Sequence, residues 1–180
     1  MITYLTGDAT EPWAIDTDDS CPRSQIIAHI CNDIGGWGRG FVLSLTKRWP
    51  AAEKSYRDWY QMNHNVSGDP ELNPFRLGRM KLVRVSNHVF VANMIAQQGI
   101  FESPLGIKPI RYNALEDCLS ELYLHAKAMN ASIHMPRIGC GLAGGKWSEV
   151  EPIIARTLEG LDVYVYDFAS NDARTITWNK

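Results

Sequence analysis

The chain has 180 residues, 45% of them hydrophobic, and a formal net charge of −2. That is enough apolar material for one packed domain, and too little positive charge for tight, non-specific nucleic-acid binding. No run approaches the about 18 apolar residues of a membrane span. The four cysteines (Cys21, Cys31, Cys118, Cys140) form no C-x-x-C pair, and no histidine stands at finger spacing from them, which argues against zinc.

The first apolar run, residues 2–6, predicts a short strand, followed by Gly7-Asp8-Ala9-Thr10 and an acidic, Pro-containing connection. No basic flank or long apolar segment marks the N-terminus as a signal peptide, so a cytoplasmic protein with reduced thiols is the default. Residues 25–31, QIIAHIC, predict a buried strand. From Phe41 the apolar spacing turns helical and runs to about Met62. Pro50 interrupts it, giving either two consecutive helices or one kinked helix. A polar loop follows over 63–77. Residues 79–85 and 89–95 predict two strands joined at Ser86-Asn87-His88, as a hairpin or adjacent pair. After a loop over 97–109, residues 111–129 have helical spacing, and 132–135 read as a strand. Ser148 and Glu151 stand at capping-box spacing, so a helix is expected from Ser148 to Leu158, with Pro152 early enough to be tolerated. Residues 163–166 read as the last strand, and the tail beyond 169 is polar. Strands interleaved with helices predict a layered α/β fold with a largely parallel sheet.

Two glycine-rich stretches stand out. HICNDIGGWGRGF, residues 29–41, places Gly35, Gly36, Gly38 and Gly40 directly after a predicted strand. IGCGLAGGKW, residues 138–147, does the same after a later strand. In a parallel sheet, both loops fall at the carboxyl ends of the strands, where ligands bind. Glycine lets main-chain N–H groups approach a ligand closely, and an amide-lined turn before a helix favours an anion. Two such loops could cradle a diphosphate. The competing role is tight turns and helix packing. No Gly-Lys-Ser/Thr follows either loop, so neither is a Walker P-loop, and GGWGRG matches a dinucleotide fingerprint poorly.

TGDAT after the first strand, HICNDIGGWGRGF after the second, SLTKRWPAAEKSY, and MPRIGCGLAGGKW before the last helix together resemble the macrodomain family. The nearest likeness is to its ADP-ribose 1″-phosphate phosphatase and terminal ADP-ribose glycohydrolase-like subgroups. The resemblance implies a three-layer α/β/α fold with a mixed, largely parallel central sheet. It implies a single domain over 1–168 and a C-terminal tail over 169–180. It implies ADP-ribose or ADP-ribose 1″-phosphate as ligand, with an ADP-ribosylated protein or nucleic acid as a larger partner. No cofactor, metal or membrane partner is expected, and a monomer is.

By the same resemblance, Asp8 would accept from the adenine amine and Ala9 would offer its amide. Asn32 would contact the distal ribose, and Gly36, Gly38 and Gly40 would lie along that ribose and its phosphate. Gly139, Cys140, Gly141, Leu142, Ala143 and Gly144 would wrap the diphosphate from the other side. Trp37 and Trp147 could line the distal end, with core packing the rival for Trp147. The glycohydrolase lysine is replaced here by Gln97 or Gln98, and the loop aspartate by Ala143. Gln cannot form a Schiff base and Ala cannot act as a base. The catalytic candidates are therefore Asn32 to fix the sugar, Asp33 to orient a water, and His29. Asp33 could instead cap the turn, His29 could be a core histidine and Asp8 a turn residue. Cys140 has no base beside it and reads as a small loop residue. Phe101 could stack on the nucleotide or simply face solvent, Arg39 could meet a terminal phosphate or water, and Arg137 could be an ion-pair partner. The predicted activity is hydrolysis at the 1″ position; the alternative is a reader that binds ADP-ribose without chemistry.

Overall fold

A computed structural model describes residues 2–12, 23–65 and 74–167. The elements in chain order are β1 (Ile2–Thr6), β2 (Gln25–Asn32), α1 (Phe41–Arg48), α2 (Pro50–Asn65), β3 (Met80–Arg84), β4 (Val89–Gln97), α3 (Tyr112–Ala128), β5 (Ser132–Pro136), α4 (Trp147–Thr157) and β6 (Val163–Asp167). The expected tail over 169–180 lies outside the described residues.

The strands form one sheet in the order β1-β6-β5-β2-β4-β3, with β3 antiparallel to β4 and the other pairings parallel. Both faces are covered, so the central strands are apolar on both sides, as a parallel sheet requires. Along β2, Ile26 and Ala28 pack with α3 and α4, while Ile27 and Cys31 pack with α1 and α2. β4 repeats the alternation with Ala92, Met94 and Ala96 against Val91 and Ile95. The result is a three-layer α/β/α sandwich.

Two details of the sequence reading resolve here. The helical stretch after Phe41 is two helices. Trp49 leaves the helical region (φ −129°, ψ 66°) because a residue before proline is disfavoured there, and Pro50 then opens α2, where its missing N–H costs nothing. The capping box at Ser148 and Glu151 does not form. α4 starts one residue earlier, Lys146 is its N-cap, and no side chain caps it. Glu151 instead accepts a hydrogen bond from the Tyr4 hydroxyl of β1, a long-range partner invisible to local spacing.

The pairing pattern opens a crevice. β2 and β5 pair only through Gln25, Ile26 and Ile27 with Ser132, Ile133 and His134. Beyond that, β2 stays with β4 as far as Asn32, and β5 with β6 as far as Pro136. The chain leaves β2 towards α1 on one face and β5 towards α4 on the other. This is the topological switch point at which open α/β sheets bind ligands.

Candidate ligand-binding crevice

Both glycine loops sit at this switch point. Loop 1, residues 33–40, joins β2 to α1; loop 2, residues 137–146, joins β5 to α4. A register slip between the Cys31–Ile95 and Asn32–Gln97 pairs marks the end of β2. Bulges of this kind re-aim side chains at strand ends. The Asn32 side chain turns onto loop 1. Its Nδ2 donates to the Gly36 carbonyl (2.7 Å), and its Oδ1 accepts from the amides of Gly36 (2.8 Å) and Ile34 (3.2 Å). The buried Tyr56 hydroxyl donates to the Asn32 carbonyl (2.6 Å). Arg57, the next residue on α2, donates through Nη2 to the Trp37 carbonyl (2.9 Å) and through Nη1 to the Gly35 carbonyl (3.4 Å).

The carbonyls of Gly35, Gly36 and Trp37 are thus all engaged. Among the described residues, the amides of Trp37, Gly38, Arg39 and Gly40 donate to nothing. Loop 2 repeats the asymmetry. The Gly139 carbonyl accepts from Gly145 (2.8 Å), that of Gly141 from Gly144 (3.0 Å) and that of Ala143 from Ile110 (3.1 Å). The amides of Gly141, Leu142 and Ala143 have no partner among the described residues. Two runs of free N–H groups therefore flank one crevice, and such concavities attract anions. Leu142 links the loops: its Cδ1 lies 3.2 Å from where a Cβ on Gly40 would sit.

The glycines divide by what surrounds them. A Cβ at Gly35 would lie 2.5 Å from the Tyr60 ring, at Gly139 2.5 Å from Ile110, and at Gly144 2.8 Å from Lys108. All three also have left-handed φ, between 72° and 76°. They are packing and turn glycines, so for Gly139 and Gly144 the structural role is established by their neighbours. Gly36 is covered by the Asn32 side chain. Gly38 and Gly141 differ: neither has left-handed φ, and neither Cβ position meets any atom within 4 Å. No contact or turn inside the described chain requires glycine there.

The candidate side chains separate as well. Asp33 is half-buried at the mouth of loop 1, where its Oδ1 accepts from the Gly99 amide (2.7 Å) and ties loop 1 to the loop after β4. His29 is not at the crevice. It is 2% exposed on the α1/α2 face, where Nε2 meets Asn93 Oδ1 at 2.6 Å and Trp37 packs edge-on at 5.4 Å. Burial lowers its pKa to about 4, only partly opposed by the Asn93 contact, so it is a neutral core histidine rather than a catalyst. The Trp37 ring is also core. Its Nε1 donates to Thr46 Oγ1 (2.7 Å), and the ring lies 5.3 Å from that of Tyr56, so only its main chain lines the crevice.

Asp8 stands at the end of β1, with Oδ1 accepting from the Thr10 amide (2.9 Å); Ala9 beside it is buried. Cys140 is buried, and desolvation pushes its thiol up to about 11 despite Arg137 nearby, which fits a small loop residue and not a nucleophile. Ala143 is buried, while Leu142 is half exposed at the rim. Arg137 pairs twice with Asp167 (2.6 and 2.8 Å) and lies over the Tyr4 and Trp147 rings, 5.2 Å from each centre, so it and Trp147 knit β1, β5, β6 and α4 together. Phe101 is 81% exposed and stacks on no ring among the described residues. Arg39 is exposed at the crevice.

Sequence reading missed the support from α2. Glu53, Tyr56 and Arg57 read only as helix positions, though Glu53 and Arg57 do stand at ion-pair spacing. Glu53 receives Thr46 Oγ1 (2.7 Å) and Arg57 Nε (2.9 Å). Burial raises its pKa, but these hydrogen bonds outweigh that and hold the carboxyl below its ordinary value.

No protein-family model matches the chain. The mouse chromodomain-helicase-DNA-binding protein 1-like is 32% identical over 176 residues, which cover 96% of this chain and 18% of that protein. The chain thus spans less than a fifth of that relative's length. An ADP-ribose 1″-phosphate phosphatase from Lodderomyces elongisporus is 24% identical over 151 residues, covering 80% of this chain and 87% of that one. The solved structure of a macrodomain protein from Streptomyces coelicolor is 42% identical, covers 94% of this chain and 100% of its own, and superposes with a TM-score of 0.73. With that identity extending over the full length of a macrodomain protein, and with the same layered sheet, the chain belongs to the macrodomain family.

Proposed function

We propose that the protein binds ADP-ribose across the switch-point crevice and hydrolyses the phosphate at the 1″ position of ADP-ribose 1″-phosphate. The observation that carries this reading is the pair of amide runs at the switch point, Trp37–Gly40 and Gly141–Ala143, beside which the carbonyls of Gly36, Trp37, Gly141 and Ala143 are engaged elsewhere. A diphosphate offers acceptors to both runs and needs no basic side chain. Asp8 lies at the end of β1, three strands from β2 in the sheet order, or about 14 Å at ordinary strand spacing. A ligand reaching both Asp8 and loop 1 is long, with a hydrogen-bond donor at one end, a pyrophosphate in the middle and a sugar at the other. The names of relatives such as the Lodderomyces phosphatase support the same substrate.

In this reading, loop 1 amides hold the charge on the terminal phosphate. Asp33, anchored through Oδ1, uses Oδ2 to orient a water and take its proton. The water oxygen bonds to phosphorus, the bond from phosphorus to the 1″ oxygen breaks, and that oxygen takes up the proton Asp33 removed, releasing orthophosphate and ADP-ribose and returning Asp33 to its carboxylate. A reader that releases ADP-ribose unchanged is the second reading. The observation behind it is that Gln97 donates to the Gly99 carbonyl (2.9 Å) and Gln98 accepts from Arg111 (2.7 Å), so both glutamines shape the loop and neither attacks a sugar.

Calorimetry with ADP-ribose and phosphate release from ADP-ribose 1″-phosphate separate the two. Asp33→Asn keeps the acceptor for Gly99 and removes the base. Its expected result is unchanged ADP-ribose affinity with phosphate release reduced at least about tenfold, within the usual range for general-base loss. A wild-type protein that binds but releases no phosphate is a reader. One that binds no ADP-ribose refutes the whole proposal.

A further inference from the structure

We propose that Arg57 is the positioning residue that aims the Gly38 amide at the ligand, and so sets the preference for a diphosphate over a monophosphate. This rests on the proposed reading in which the diphosphate meets both amide runs, so that loop 1 holds its distal phosphate as well as any phosphate at the 1″ position. In a trans peptide, the carbonyl of one residue and the amide of the next point in opposite directions, and the described chain has no cis peptide. Whatever holds the carbonyl of residue 37 therefore directs the N–H of residue 38. Arg57 Nη2 holds the Trp37 carbonyl at 2.9 Å on the α2 side. The Gly38 amide consequently points away from α2, at the one glycine of loop 1 with no left-handed φ and open space around its Cβ position. By the same logic, Asn32 holds the Gly36 carbonyl and directs the Trp37 amide.

Arg57 does not do this alone. Its Nε donates to Glu53 Oε1 (2.9 Å), Glu53 Oε2 accepts from Thr46 Oγ1 (2.7 Å), and Thr46 accepts from the Trp37 indole (2.7 Å). The ring of contacts starts and ends on Trp37: main chain at Arg57, side chain at Thr46. It fixes both ends of the residue whose carbonyl sets the Gly38 peptide plane. A guanidinium suits the task because its planar fork reaches two carbonyls, those of Gly35 and Trp37, from one side. A lysine ammonium can occupy only part of that geometry.

The test compares wild-type protein with Arg57→Gln and Arg57→Lys. Calorimetry is run with ADP-ribose and with AMP, which carries one phosphate where ADP-ribose carries two. Arg57→Gln is expected to bind ADP-ribose about tenfold more weakly, the order of one lost charge-assisted contact, with AMP affinity unchanged. Arg57→Lys is expected to recover part of the loss. A crystal structure of Arg57→Gln is expected to show the Trp37–Gly38 peptide rotated. Equal loss for both nucleotides would mean a merely structural role and overturn the proposal, as would wild-type ADP-ribose affinity or an unrotated peptide. The peptide orientation is read without ligand, so a wild-type protein that fails to bind ADP-ribose would refute the functional reading while the crystal structure still decides the role of Arg57.

Discussion

Replacing glycines one at a time in loop 1 separates ligand space from packing space. At Gly35, an alanine Cβ would lie 2.5 Å from Tyr60 Cδ1 and the backbone is left-handed at φ 72°. The left-handed conformation costs roughly 1–2 kcal/mol with a side chain, and overpacking adds about 1–3 kcal/mol. Gly35→Ala should therefore lose about 3 kcal/mol, lowering the melting temperature by roughly 10 °C in a domain of this size. At Gly38, φ is not left-handed and no atom lies within 4 Å of the added Cβ. Gly38→Ala should fold as well as wild type or gain about 0.5 kcal/mol from a stiffer unfolded chain. Its methyl group, however, occupies the space beside the Gly38 amide. Losing one hydrogen bond to a charged phosphate costs about 2 kcal/mol, roughly thirtyfold in affinity. Thermal unfolding and calorimetry with ADP-ribose read the two effects independently. Gly141→Ala should behave like Gly38→Ala. A Gly38→Ala protein that binds ADP-ribose as tightly as wild type, or melts as early as Gly35→Ala, would refute the reasoning.

Acid should weaken the fold before its carboxylates titrate. Burial lowers both His29 and His134 to about 4 in the folded protein, against about 6.5 when unfolded. The unfolded chain thus binds more protons between those values, so stability is full above about 6.5 and falls as pH drops towards 4, by about 3 kcal/mol for each histidine across the window. Urea midpoints that stay level from pH 6.5 to 4.5 would contradict this. Cys140, held at about 11, should react with iodoacetamide at pH 8 about a hundredfold more slowly than a free thiol, as measured by mass spectrometry of its peptide. Equal rates would contradict the raised pKa. Because Ser148 caps nothing, Ser148→Ala should change stability by less than about 0.5 kcal/mol, against about 1 kcal/mol for a true N-cap; a loss of the larger size in urea melts would restore the capping box.

The sequence by itself determined the layering and the two glycine loops at the carboxyl ends of the strands. The apolar run of QIIAHIC, the helical spacing after Phe41 and the two glycine stretches are local patterns, and strand, loop and helix follow from periods of 2 and 3.6. That both glycine loops share one edge follows from a parallel sheet. Which glycines packing requires was not legible, because Ile110 against Gly139, Lys108 against Gly144 and Tyr60 against Gly35 are contacts between distant parts of the chain. His29 and Asn93 are 64 residues apart, and only the β2–β4 register makes them a satisfied buried pair instead of a catalyst and a spectator. Arg57 is one more exposed-looking arginine on a helix until α2 docks beside loop 1, where its guanidinium meets two carbonyls. Local periodicity and local turns fix where main-chain amides gather; tertiary packing adds the holds from distant elements, Arg57 on the Trp37 carbonyl and Ile110 on the Ala143 carbonyl, that no local pattern contains.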